Sequence, residues 1–251
     1  MRKIIFLVMS VFLIGCGSKI HRLEMEPHAH LSIPSISLNA PSSFSQSKWI
    51  TYGDSLSDSG NVIQLFRHIP NMMSEDVRVT VRIPPENQNI NFLLDKKKSD
   101  DLERTRALPP SEWEKKNLAE RGVSYNKHYV DYIGNLKCTT NAESSNIAMG
   151  IGNKKYYTVC AYYDMTGAKK RIDIFYRYTY TNRSTKYNGD RTSSNVSPQT
   201  MQEQFKQDIK EIFDSLVIHD MDRERMKKEG LLYDKKYEIN AEEKVQNNIG
   251  L

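Results

Sequence analysis

The chain has 251 residues, of which 38% are hydrophobic and 27% charged, with a formal net charge of +5. This composition supports a folded core and argues against wholesale disorder, a collagen-like repeat and a polytopic membrane protein. The excess of basic residues is small. It argues against a dedicated nucleic-acid binder, because such a protein needs a clustered basic face.

The N-terminus has the pattern of a secretory signal. Arg2 and Lys3 precede an apolar run over residues 4–14. A helix that spans a bilayer takes about 20 apolar residues, so this run is too short to span stably. Its length and its basic start are typical of a signal peptide.

The four residues at the end of this run are more specific. Residues 13–16 read L-I-G-C and resemble the lipobox of bacterial lipoproteins. The resemblance implies a signal peptide over 1–15 and a lipid on Cys16, and Gly17 after it implies the outer membrane, facing the periplasm. A plain secretory signal with an unmodified cysteine and a short anchor helix are the alternatives.

The two remaining cysteines form an even pair. In an oxidising compartment, Cys138 and Cys160 are therefore predicted to form a disulfide. Closing a loop of this length contributes about 3 kcal/mol in the chain-entropy model. The alternative is a redox-active or nucleophilic pair, but the cysteines lack a C-x-x-C spacing and a nearby histidine.

The segment after Cys16 is rich in serine, proline and histidine. We expect residues 16–47 to be a lipidated tether that ends in a first extended segment. His28 and His30 form an H-x-H pair within it. Two imidazoles without further ligands make a weak metal site, so a polar linker is the simpler interpretation and no metal is predicted.

The next hundred residues give short elements. Residues 48–52 have the composition of a strand, and residues 62–69 space apolar side chains as a short helix does. Residues 77–83 alternate valine with arginine or threonine, which predicts a half-buried strand. The polar residues 86–110 suggest a long loop, and residues 112–121 a short helix.

The centre of the chain predicts an antiparallel sheet. Strand-like segments cover residues 128–133, 155–164 and 171–181, and residues 165–168 supply a hairpin turn between the last two. In 171–181 polar and apolar residues alternate, with Phe175 as the exception on the polar side. Such alternation is typical of antiparallel sheets with one solvated face. The tyrosines of these strands suit a core, a protein-binding face or a small-ligand platform.

A long amphipathic helix is expected over residues 198–217, since its apolar residues form one stripe. The stripe consists of Met201, Phe205, Ile209, Ile212, Phe213, Leu216 and Val217. We therefore predict an α+β fold, mainly antiparallel sheet packed by this C-terminal helix. The domain is expected to cover 48–220, with a charged C-terminal extension over 221–251.

Residues 53–61 read G-D-S-L-S-D-S-G-N and resemble the nucleophile block of GDSL-type lipases and esterases. The resemblance implies Ser55 as the nucleophile, at a turn between a strand and a helix, with its backbone N–H in an oxyanion hole. The family takes its base from a D-x-x-H block, but here Leu216 stands three residues before His219. The family's G-x-N-D block is missing, and its parallel sheet differs from the one predicted above.

The lipobox, the cysteine pair and the order of sheet and long helix together resemble the immunity lipoproteins that protect bacteria from type VI secretion effectors, in particular lipases and phospholipases. This resemblance implies a non-enzymatic protein that binds a toxic effector in the periplasm, with no cofactor and no nucleic-acid partner. A lipid-anchored esterase that uses Ser55 is the main alternative. An envelope structural or assembly lipoprotein is the third.

Overall fold

An eight-stranded antiparallel sheet dominates the fold, accompanied by few helices. The computed structural model describes residues 22–24, 26–42, 50–52, 62–69, 73–86, 88–106, 125–147, 151–181 and 198–238. The strands are β1 (Arg22–Glu24), β2 (His30–Ser32), β3 (Ile36–Asn39), β4 (Ile50–Tyr52), β5 (Val62–Ile69), β6 (Met73–Arg82), β7 (Tyr125–Ile133), β8 (Leu136–Ile147), β9 (Ile151–Tyr163), β10 (Lys169–Thr181) and β11 (Val217–Ile218). The helices are α1 (Lys96–Arg106), α2 (Pro198–Asp214) and α3 (Arg223–Lys228).

The large sheet has the order β1-β4-β5-β6-β10-β9-β8-β7, and a three-stranded sheet has the order β11-β3-β2. Every pair of neighbouring strands is antiparallel. The predicted antiparallel sheet is therefore confirmed. Strands β6, β10 and β9 lie side by side in its middle, where Ile174 stands opposite Val79 on one side and Thr158 on the other.

The two faces of the large sheet differ because side chains alternate along each strand. One face, which we call the inner face, carries residues that are buried throughout: Ile63, Leu65, Val77, Val79, Val81, Tyr156, Cys160, Ile172, Ile174, Tyr176 and Tyr178. The opposite, outer face carries polar and charged residues together with a few aromatic ones. The alternation predicted for residues 171–181 is thus confirmed where side chains are described.

Two tight turns set the register of the hairpins. Between β7 and β8, Gly134 and Asn135 adopt φ values of 57° and 67°, as a two-residue hairpin loop requires. Between β9 and β10, at the predicted turn, Gly167 has φ 84°. There the Asp164 carboxylate accepts the backbone N–H groups of Thr166 at 3.0 Å and Ala168 at 2.9 Å. These bonds confirm the hairpin.

Helix α2 contributes a buried apolar stripe of Phe205, Ile209, Ile212 and Phe213. The Phe205 ring lies 5.3 Å from the ring of Tyr178, and the Phe213 ring lies 5.4 Å from that of Tyr176. The helix ends at Asp214, so the predicted end at Val217 is wrong. Val217 is exposed and belongs to β11, where it pairs with Ser37 of β3. The chain therefore continues from the helix into a strand.

The predicted helix over 62–69 is also wrong, because these residues form β5, paired with β6 along its length. Apolar residues at spacings of three and four suggested a helix. The inward positions are in fact Ile63, Leu65 and Arg67, so that a buried arginine interrupts the apolar alternation of a strand.

The loop expected over 86–110 contains helix α1. The Asp95 carboxylate caps its first turn by accepting the Lys98 backbone N–H at 3.1 Å, and Lys96 pairs with Asp100 one turn on. The sequence of α1 has almost no apolar stripe, and over residues 96–102, where side chains are described, Ser99 and Leu102 are the buried ones. Residues 112–121, where a helix was expected, lie outside the described residues.

Segments on both sides of 48–220 contribute to the core. Ile36 and Leu38 of β3 are buried, as are Met226, Leu231 and Tyr237 near the other end. Strand β3 pairs with β11, which brings the expected tether and the end of α2 together. Packing thus extends beyond the predicted domain limits. No helix within the described ranges has the length and apolarity needed to cross a bilayer.

Candidate binding face

Ser55 and the whole of residues 53–61 lie outside the described residues, but the strands on either side are described. Strand β4 ends at Tyr52 and pairs antiparallel with β5, with Ile50 opposite Phe66. The block therefore connects two antiparallel strands, where the esterase resemblance implies a strand followed by a helix. His219 is exposed, and its backbone N–H donates to the Ser35 carbonyl at 2.9 Å.

The predicted disulfide between Cys138 and Cys160 is confirmed. It joins β8 to β9, and both cysteines are fully buried. A buried disulfide between neighbouring strands of a sheet restrains the fold and offers no accessible thiol. Cys16, the predicted site of lipidation, lies outside the described residues.

The two histidines of the H-x-H pair make separate contacts. His30 Nδ1 lies 3.1 Å from Asn39 Oδ1, and His28 Nε2 lies 3.5 Å from Ser42 Oγ. Within the described ranges, no three histidine, cysteine, aspartate or glutamate side chains group closely enough to hold a metal ion.

The structure reveals a buried charged cluster that the sequence analysis missed. Arg67 of β5 donates to Glu75 of β6 at 2.6 Å and to Asp208 of α2 at 2.7 Å. All three side chains are fully buried. Gln204 supports Asp208 through a hydrogen bond of 2.8 Å. The only sequence signal was an arginine at an inward position of an apolar segment.

Burial changes the acid–base behaviour of this cluster. It raises the pKa of Glu75 from 4.5 to about 7, against the attraction of Arg67. It likewise raises the pKa of Asp208 from 3.8 to about 6. A single guanidinium cannot fully compensate two desolvated carboxylates, so one of them tends to keep a proton. The cluster is closed to solvent and links α2 to β5 and β6. It is therefore a structural element and not a ligand site.

One accessible feature of the large sheet is a row of side chains across its outer face. Arg78 of β6 stands opposite Phe175 of β10, which stands opposite Tyr157 of β9. The Tyr157 and Phe175 rings are 5.1 Å apart, and Tyr157 is 42% exposed. Tyr157 is exposed and Phe175 is partly buried, so the pair presents apolar ring surface among the charged residues of this face.

A shallow hollow of about 180 Å³ lies beside this row. Thr80 and Val159 contribute to its lining, and Arg78, Arg171 and Asp173 bring charged groups to it. This volume accommodates one or two side chains and is small for a drug-sized ligand, whose pockets have about 300–1,000 Å³.

Charged side chains surround the aromatic pair. Asp173 accepts hydrogen bonds from Arg82 at 2.7 Å and from Arg171 at 2.6 Å, so two guanidinium groups share one carboxylate. Gln88 accepts a further hydrogen bond from Arg171 at 2.8 Å. These bonds fix the arginine heads beside the hollow and leave an excess of positive charge there.

Two other cations of the face each stand opposite a carboxylate on a neighbouring strand. Arg177 lies 3.6 Å from the Asp76 carboxylate, and Lys155 stands opposite Glu143 in the strand register. We call the outer-face surface formed by Arg78, Lys155, Tyr157, Val159, Arg171, Asp173, Phe175 and Arg177 the basic–aromatic face. The sequence hinted at it through Phe175, the aromatic exception on the polar side of its strand.

The outer face is partly covered at its β7–β8 end. Lys137 Nζ donates to the Ser99 carbonyl of α1 at 3.2 Å, and its ammonium lies 4.7 Å from the centre of the Tyr233 ring. Lys137 is consequently buried. Helix α1 thus occupies this end, while Arg78 and Tyr157 in the middle of the sheet stay exposed.

Comparisons of the chain with protein-family models, curated proteins and solved structures found no match.

Proposed function

We propose that the chain is a lipoprotein of the outer membrane, facing the periplasm, that acts as a non-enzymatic binding and immunity protein against a toxic effector. A phospholipase is the effector class that the sequence resemblance favours. The observation that carries the proposal is the basic–aromatic face, with Tyr157 42% exposed among charged side chains. Aromatic and arginine side chains are the residue types enriched at the centres of protein interfaces.

The proposed mechanism is occlusion at the membrane. Acyl chains on Cys16 would hold the protein at the bilayer that a phospholipase attacks, since several chains anchor far more firmly than one. The basic–aromatic face would then cover the active site of the effector. Charged groups around an aromatic centre speed the encounter and discriminate against wrong partners.

The fold suits such a rigid inhibitor. We include in the proposal that α2 packs along the inner face as a long amphipathic helix and completes an α+β fold. The ring contacts of Phe205 and Phe213 and the Arg67–Asp208 ion pair support this arrangement. The Cys138–Cys160 disulfide adds rigidity to the strands beside the proposed interface.

A lipid-anchored esterase with Ser55 as the nucleophile is the second candidate, because the sequence of residues 53–61 favours it. Two observations weigh against it. The block connects antiparallel strands, and no D-x-x-H block supplies a base for the serine. The binding protein is therefore the better supported function.

The decisive experiment is protection of cells. The product of the adjacent gene is directed to the periplasm of a heterologous host, alone and together with the full-length lipoprotein. We expect growth arrest by the first and rescue by the second. The Ser55→Ala variant should rescue equally well, because the proposed inhibition uses no nucleophile.

Two outcomes would contradict the proposal. One is growth arrest that the lipoprotein does not relieve. The other is rescue that Ser55→Ala abolishes while the protein level is unchanged, since this would assign the protection to ester hydrolysis.

A further inference from the structure

The pairing of charges on the basic–aromatic face leaves Arg78 distinct from its neighbours. Its Nη2 donates to the amide oxygen of Gln64 at 3.4 Å, a long hydrogen bond to a neutral group. Arg82 and Arg171, by contrast, both contact Asp173. Among the described residues Arg78 has no ion pair with a carboxylate, and it is exposed. It therefore retains a guanidinium fork that can bind a carboxylate with two hydrogen bonds.

The net charge of the outer face around Arg78 is also positive. Apart from Lys137, which α1 covers, the described cations on this side of β6, β10, β9 and β8 are Arg78, Arg82, Lys155, Lys169, Arg171 and Arg177, and the described carboxylates are Asp76, Glu143 and Asp173. Cations outnumber carboxylates. The excess of positive charge lies beside the hollow, around Arg78 and around the two arginines that share Asp173. The apolar surface of Tyr157, Val159 and Phe175 is thus adjacent to unneutralised positive charge.

We propose, resting on the function proposed above, that this face docks an acidic segment of the effector that also carries apolar side chains. A carboxylate of the segment binds the Arg78 guanidinium, and a neighbouring apolar side chain fills the hollow against Tyr157 and Phe175. The small volume of the hollow, about 180 Å³, limits this contact to one or two side chains. Arg78 is then the residue that most determines affinity for the acidic segment.

Nucleic acid fits this face less well, although its phosphates are also anionic. Asp76, Glu143 and Asp173 are spread across the same surface and would repel a continuous row of phosphates. A protein segment can place its carboxylates at selected positions and its apolar side chains between them. The mixed charge of the face therefore favours a protein.

The test measures binding of short fluorescein-labelled peptides to the full-length lipoprotein in detergent by fluorescence anisotropy. One peptide alternates Glu and Leu, a second alternates Lys and Leu, and a third alternates Gln and Leu. We expect only the Glu peptide to bind, and its affinity should fall with added salt.

Two variants locate the binding. Arg78→Glu should weaken binding of the Glu peptide by about tenfold or more, because a hydrogen-bonded charge pair contributes about 1.5–3 kcal/mol. Arg223→Glu makes the same charge change at another exposed position and serves as the matched control. It should change the affinity by less than about twofold, because Arg223 does not line the hollow and salt screens an exposed charge.

The proposal is overturned if Arg223→Glu weakens binding as much as Arg78→Glu does. It is also overturned if the Lys peptide or a thymidine oligonucleotide binds as well as the Glu peptide. Thermal unfolding of both variants checks that the fold is intact. If the protein protects cells but shows no preference for the Glu peptide, the acidic partner is refuted and the immunity function stands. If the protein binds the Glu peptide selectively but does not protect cells, the immunity function is refuted and the acidic binding site stands.

Discussion

Replacing Glu75 by glutamine should change how the stability of the protein depends on pH. Glu75 is fully buried beside Arg67 and Asp208, and burial raises its pKa from 4.5 to about 7. Glutamine keeps the size of the side chain and an oxygen that accepts from Arg67, but it never ionises. The variant therefore removes one titration and little of the packing.

The sign follows from proton binding. Between about pH 4.5 and pH 7 the folded chain keeps the Glu75 proton that the unfolded chain has released. The free energy of unfolding must fall as pH rises through this window. The stabilisation that results from the raised pKa of Glu75 is fully present below pH 4.5 and lost above pH 7. Each pKa unit corresponds to 1.36 kcal/mol, so the shift amounts to about 3 kcal/mol.

The expected result is that Glu75→Gln matches the wild type near pH 4.5 and exceeds its stability by up to about 3 kcal/mol at pH 8. Urea unfolding followed by circular dichroism at several pH values measures this difference. Glu211→Gln is the control of opposite sign, since hydrogen bonds from Ser42 lower the pKa of Glu211 against the effect of burial. Parallel stability curves for wild type and Glu75→Gln would refute the reasoning.

Three other changes have defined outcomes. Cys16→Ser should abolish palmitate labelling, and labelling that persists in this variant would remove the basis for lipid anchoring. Cys138→Ala should cost about 2–4 kcal/mol of unfolding free energy, because the disulfide closes a loop between residues 22 apart, and free thiols in periplasmic material would contradict the pairing. A fluorophosphonate probe should leave the protein unlabelled, whereas stoichiometric labelling that disappears in Ser55→Ala would restore the esterase.

The sheet was predictable where side-chain alternation was clear. Residues 171–181 alternate so regularly that strand, face and hairpin partner could all be predicted, and Ile172, Ile174 and Tyr176 are buried as expected. Strand β5 was misread because Arg67 occupies an inward position, where Glu75 of the next strand and Asp208, 141 residues away, neutralise it. Such long-range compensation leaves no local pattern.

Helix α1 was missed for a related reason. Its sequence offers an N-cap at Asp95 and a Lys96–Asp100 pair, but hardly any apolar stripe.

The disulfide could be predicted from the count of cysteines and the expected compartment alone. The basic–aromatic face depends on which charges meet across strands β6, β10 and β9, and this register is a property of the folded sheet alone.

The inhibition of a purified effector tests the proposed function most directly. The product of the adjacent gene, as the proposed effector, is titrated with the full-length protein, and its hydrolytic activity is measured. We predict that effector activity falls linearly and is lost completely at one equivalent of the wild-type protein. In a separate titration with the Tyr157→Glu variant, effector activity should be retained. Unchanged effector activity at several equivalents of the wild-type protein would contradict the binding-protein function.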